Sequence, residues 1–79
     1  MEQESDLAMA ARHVSEGRRI VARQRERIAR LKSLGCSTEE HEKTLLVFLS
    51  TLEILEGHER LLLGKRFNGT KDRARLPAF

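Results

Sequence analysis

From Leu7 onward an apolar residue recurs at every seventh position, at Leu7, Val14, Val21 and Ile28. This is the spacing of a helix seam that faces a partner helix. Three positions after each of these stand Ala10, Gly17, Gln24 and Leu31, so the companion row opens with two small residues and contains one amide. Small residues let a partner backbone approach closely. That is a reason to tolerate Gly17, which costs about 1 kcal/mol of helix propensity relative to Ala; a local bend is the alternative. Gln24 lies within the seam and reads as an amide that fixes register. The first helix is expected over about residues 6–34, because Gly35 suits a left-handed C′ position and Arg30 and Lys32 place positive charge at the negative end of the helix dipole.

After Cys36 the sequence Ser37-Thr38-Glu39-Glu40 has the form of a capping box, with Ser37 as the cap and Glu40 returning the bond. A connection of about two to four residues makes the two helices antiparallel neighbours, an αα-hairpin. The second helix is expected over about residues 38–67, with its main stripe at Leu45, Phe48, Leu49, Leu52, Leu55, Leu62 and Leu63. A further row, Val47, Ile54 and Leu61, repeats every seventh residue on an adjoining face. The combined apolar surface is wider than one antiparallel helix can cover. Each fully buried aliphatic side chain contributes about 1.5–3 kcal/mol, so the extra row favours a second layer. The expected architecture is all-α: an antiparallel helical hairpin that homodimerises into a four-helix bundle, with Val47, Ile54 and Leu61 at the dimer interface. Leu45, Phe48, Leu52, Leu55 and Leu62 are expected to form the core within one chain. A partner of different sequence could fill the same role as the second copy.

Composition agrees with this reading. In 79 residues, 34% are charged and 39% hydrophobic, with one Pro, three Phe and no Trp or Tyr, which suits exposed helices with aliphatic stripes better than a β-rich fold. A chain this short forms a single domain and buries a modest share of its surface. Residues 1–5 read as a flexible N-terminus and residues 68–79 as a basic, flexible tail, with Gly64, Asn68, Gly69 and Pro77 opposing helical continuity. The terminal Leu76-Pro77-Ala78-Phe79 reads as a solvated end, with docking on the bundle or on a partner as the alternative. The start of the chain has no basic and apolar signal pattern, and no apolar run approaches the ~20 residues of a membrane span. A cytoplasmic location is expected, with no membrane association.

Charge separates the two helices. Residues 6–34 hold eight basic and three acidic side chains, and residues 37–63 hold two basic and six acidic, within a net charge of +3. Arg18, Arg25 and Lys32 flank the first seam and are placed to meet Glu42, Glu53, Glu56 or Glu59 of the second helix. Arg12, Arg19, Arg23, Arg27 and Arg30 lie opposite the seam. They are the candidate nucleic-acid contacts, a row of about 27 Å at 1.5 Å per residue. The run lacks aromatics for base stacking and any helix-turn-helix or zinc module, so binding through it would be nonspecific and salt-sensitive. Solvated helix surface is the alternative.

Candidate chemistry is sparse. His13, His41 and His58 contain no Glu-x-x-His and no pair four residues apart, so no metal site is expected. His41 falls in the stripe with Phe48 and Leu55. Cys36 is the only cysteine, which excludes an internal disulfide, and it stands beside a helix N-terminus, where a thiol can become reactive. No phosphate loop, nucleophilic triad or paired carboxylate site is present. No catalytic residue and no cofactor are expected, and the reading is of a non-enzymatic interaction or small regulatory module.

At His13-Val14-Ser15-Glu16-Gly17, at Ile20 and Gln24, at Leu31 and Gly35, and at Thr38-Glu39-Glu40, the chain resembles a group of short, uncharacterised two-helix proteins common in alphaproteobacteria. The likeness covers roughly residues 12–62. It implies a helical hairpin and brings no activity, so no catalytic or binding residue is inherited from it.

Overall fold

The computed structural model describes the backbone of residues 4–75 and the side chains of residues 4–65. Two helices, α1 (Asp6–Ser33) and α2 (Glu39–Arg75), form an antiparallel hairpin, and there is no strand among the described residues.

Helix α1 starts where Ser5, in extended backbone, accepts a hydrogen bond on its Oγ from the Ala8 N–H at 3.0 Å. That bond satisfies one of the free N–H groups of the first turn. Glu4 is also engaged, by the Arg12 guanidinium, which donates from Nε at 3.1 Å and from Nη2 at 2.9 Å. Within the stretch 1–5 expected to be flexible, Glu4 and Ser5 are therefore tied to α1, and Met1–Gln3 lie outside the described residues. The hydrogen bond from Arg12 holds the Glu4 carboxyl below its ordinary value of 4.5. Because this value is lowered on folding, the pair stabilises the helix start above the unfolded value and the contribution is lost as pH falls through the folded one. An NMR titration of Glu4 should show a midpoint below 4.5 that rises on Arg12→Gln. A midpoint unmoved by that substitution would contradict the contact.

The end of α1 matches expectation. Gly35 has φ +75°, its N–H donates to the Lys32 carbonyl at 3.0 Å, and the Cys36 N–H donates to the Leu31 carbonyl at 2.9 Å. These two bonds are the paired closure of a Schellman turn. The start of α2 differs by one residue. Thr38, not Ser37, flanks Glu39; it is buried, its hydroxyl donates to the Glu42 carboxylate at 3.0 Å, and its carbonyl accepts from the Glu42 N–H at 2.8 Å. Ser37 and Thr38 can both serve the helix start, and the geometry leaving the Schellman turn selects the second.

Helix α2 continues to Arg75, past the end near Phe67 that its glycines suggest. Residues 68–75 of the expected tail are helical in backbone. Two glycines cost about 1 kcal/mol each, which does not stop a helix that already spans seven turns and meets good helix formers at Lys65, Arg66, Lys71, Arg73 and Arg75. Leu76–Phe79, the segment that could dock, lie outside the described residues.

The core lies along α1. Ala10, Val14, Val21 and Ile28 are buried, and Gln24 is 5% exposed. On α2 the facing residues Leu45, Phe48, Leu49, Leu52, Leu55 and Leu62 are only half-buried. The asymmetry follows from the two apolar arcs: the narrow stripe of α1 is covered by α2, whereas the broad face of α2 overhangs α1 on one side. At Gly17, α1 is continuous, and an added Cβ would stand 3.2 Å from Leu52 Cδ1 and 3.5 Å from Leu55 Cδ1. Close packing, not a bend, accounts for this glycine. Gln24 fixes the register as expected, donating from Nε2 to the His41 carbonyl at 2.8 Å. Arg18 meets Glu56 at 3.1 Å and Lys32 meets Glu42 at 3.4 Å. Such exposed pairs contribute about 0.2–1 kcal/mol each and chiefly set orientation.

Candidate interaction surface

The apolar arc of α2 that α1 leaves uncovered carries Val47, Ile54 and Leu61, with 61%, 71% and 61% of their surface exposed. Seven-residue spacing puts them in a line along the helix. At 100° per residue the row lies well away from the centre of the stripe that meets α1. Leu46, beside this line, is also exposed.

Between Val47, at the turn-side end of this row, and α1 lies an open, almost wholly apolar groove of about 440 Å³. Its floor is Gly17, Leu52 and Leu55, and Ile20, Val47 and Phe48 form its sides. Gly17 contributes here a second time: the absence of a side chain that admits Leu52 also deepens the groove. Ile20, 40% exposed, belongs to this surface and was not separated from the arginines around it by sequence reasoning. Its helical angle, midway between the seam and the basic row, is the signal that could have found it.

Ile20 and Phe48 also border a second depression, which is polar and lined by Arg23, Gln24, Arg27, His41 and Thr44. The apolar groove therefore ends in a basic patch toward the inter-helix turn. The basic row is not uniform. Arg12 is committed to two carboxylates, Glu4 at 2.9 Å and Glu16 at 3.4 Å, which raises its already high pKa further. Arg19, Arg23, Arg27 and Arg30 are exposed and take part in no ion pair among the described residues. Of the flanking cations expected to answer α2, Arg18 and Lys32 do so and Arg25 does not.

The remaining candidates are scattered. His13 and His58 approach a small cleft with Asp6, Met9, Ala10 and Leu62, but no group of three metal-ligating side chains occurs among the described residues. His41 is half-buried with its carbonyl held by Gln24. Cys36 is exposed in the turn, its N–H occupied by the Leu31 carbonyl. No helix among the described residues is long and apolar enough to cross a membrane. No family model, no curated protein and no solved structure matches the chain.

Proposed function

We propose that the protein is a non-enzymatic helical-hairpin interaction module that acts as a homodimer, its two hairpins packed through the outer row of α2 into a four-helix bundle. The observation that carries this reading is the exposure of Val47, Ile54 and Leu61 in one line on a helix whose opposite face is already engaged.

A dimer that folds as one unit gains stability with concentration. The thermal midpoint should therefore rise by several degrees when the protein is concentrated a hundredfold, followed by circular dichroism at 222 nm. A midpoint independent of concentration contradicts the proposal.

A second reading is favoured by one observation, the four exposed arginines Arg19, Arg23, Arg27 and Arg30 outside any ion pair among the described residues. They would follow a phosphate backbone without reading sequence, and Arg12, held by two acids, would contribute least. Binding to duplex DNA or RNA that weakens steeply between two salt concentrations supports it. No binding at low salt removes it.

A further inference from the structure

The outer side of α2 carries two rows at seven-residue spacing. Val47, Ile54 and Leu61 form the first, and three positions after each stand Ser50, Gly57 and Gly64. At 100° per residue the rows lie about 60° apart, so they make one seam with a branched aliphatic at the first position of each heptad and a very small residue at the fourth.

The hairpin itself does not explain the two glycines. At Gly17 an added Cβ would stand 3.2 Å from Leu52 Cδ1, tighter than an ordinary contact. At Gly57 the nearest atom to an added Cβ is Arg60 Nη2, 3.8 Å away at the end of a flexible chain, and at Gly64 nothing lies within 4 Å. Neither has a positive φ; among the described glycines only Gly35 does. Glycine is one of the least favourable residues in a helix interior, and here it recurs under open space beside the exposed aliphatic residues Ile54 and Leu61.

We infer that two copies of α2 pack antiparallel and in close contact along this seam, about a two-fold axis between Ile54 and Gly57, each aliphatic side chain seated over a small residue of the other copy. The inference rests on the homodimer reading and specifies its interface. In this register Val47 faces the partner's Gly64, Ser50 faces the partner's Leu61, and Ile54 faces the partner's Gly57. All six seam positions then pair large with small. Sliding by one heptad in either direction sets Glu40 or Lys71 opposite a seam residue. Parallel packing stacks large on large and glycine on glycine, leaving gaps that close packing does not tolerate.

Charge agrees with the antiparallel register. Glu53 and Arg60 flank the seam on one side, one heptad apart, and neither forms an ion pair within its own chain among the described residues. About the proposed axis Glu53 faces the partner's Arg60, and the symmetry makes the pair twice. Isologous contacts of this kind are what a two-fold interface requires.

Sedimentation equilibrium on the full chain tests the register. Gly57→Leu places a good helix former in a space that the single hairpin leaves open, so the helix content of the dilute protein should be unchanged or higher. The same side chain collides with the other copy, and the dimer dissociation constant should rise at least roughly ten-fold. Glu53→Arg and Arg60→Glu should each weaken the dimer several-fold, and the two together should restore it. If the wild-type chain dimerises but Gly57→Leu associates as tightly, or the double charge exchange is no tighter than the single ones, the register is wrong and the homodimer reading stands. A wild-type monomer overturns both.

Discussion

Replacing Ile54 with Glu should leave a helical hairpin that no longer dimerises. In the single chain Ile54 is 71% exposed, so the substitution removes almost no intrachain contact and Glu is as good a helix former as the residue it replaces. In the dimer the same position is central and occurs twice. Each copy loses about 1.5–3 kcal/mol of apolar burial, and each introduces a carboxylate that must stay hydrated or be buried without a partner. A loss of about 4 kcal/mol in total corresponds to roughly a thousandfold in the dissociation constant. Sedimentation equilibrium combined with circular dichroism at low concentration separates the two effects. Loss of helix in the dilute variant, or dimerisation as tight as wild type, would place the interface elsewhere.

The second large effect is expected at Gly17, inside the hairpin. Gly17→Leu raises intrinsic helix propensity by a little under 1 kcal/mol, but its side chain must enter space held by Leu52 Cδ1 at 3.2 Å and Leu55 Cδ1 at 3.5 Å from the added Cβ. Overpacking of this kind costs about 1–3 kcal/mol and displaces the helices from each other. In a domain of this size each kcal/mol moves the melting midpoint by about 4–8 °C, so the variant should melt clearly below wild type. Urea unfolding provides the check through a lower midpoint at an unchanged slope. A variant as stable as wild type would mean that the inter-helix gap yields easily and that Gly17 is tolerated without being required.

The parts of the fold that were legible in the sequence are those fixed by short, repeated rules. Val14, Val21 and Ile28 of the seven-residue row of α1 are buried with Ala10, Gln24 bonds across to α2, and Gly35 closes α1 in a left-handed turn. The row and the turn depend on residues within a few turns of helix, whereas the Gln24 bond reaches across the hairpin to His41. The errors lie where two local preferences compete. Ser37 and Thr38 are adjacent caps, and only the path of the chain out of the turn decides between them. At the C-terminal end of α2, isolated glycines oppose the helix locally, but a long helix absorbs their cost. The pairing of Arg12 with Glu4 was not visible because Glu4 precedes the helix and lies outside the i, i+4 pattern.

The candidate surface was only partly readable for a related reason. A row such as Val47, Ile54 and Leu61 reveals that a face is apolar, but a sequence does not tell how far a single partner helix reaches around it. Three-dimensional packing supplies that limit: Leu45, Phe48, Leu52, Leu55 and Leu62 are half-buried, while the outer row is left open. Gly57 and Gly17 differ only in what surrounds them in three dimensions. Both are glycines in helix interiors, and one meets a leucine within its own chain while the other meets open space. The arginine row likewise divides once contacts are known, into Arg12 bound by acids, Arg23 and Arg27 at the mouth of the groove, and Arg19 and Arg30 on the outer surface.

The proposed homodimer requires the outer face of α2 to be covered by a second copy of the chain. Light scattering on a sizing column, run over a wide range of protein concentrations, measures this most directly. The account predicts a mass of twice the 9.1 kDa chain that falls toward a single chain only on strong dilution. A mass of one chain at every concentration would contradict it.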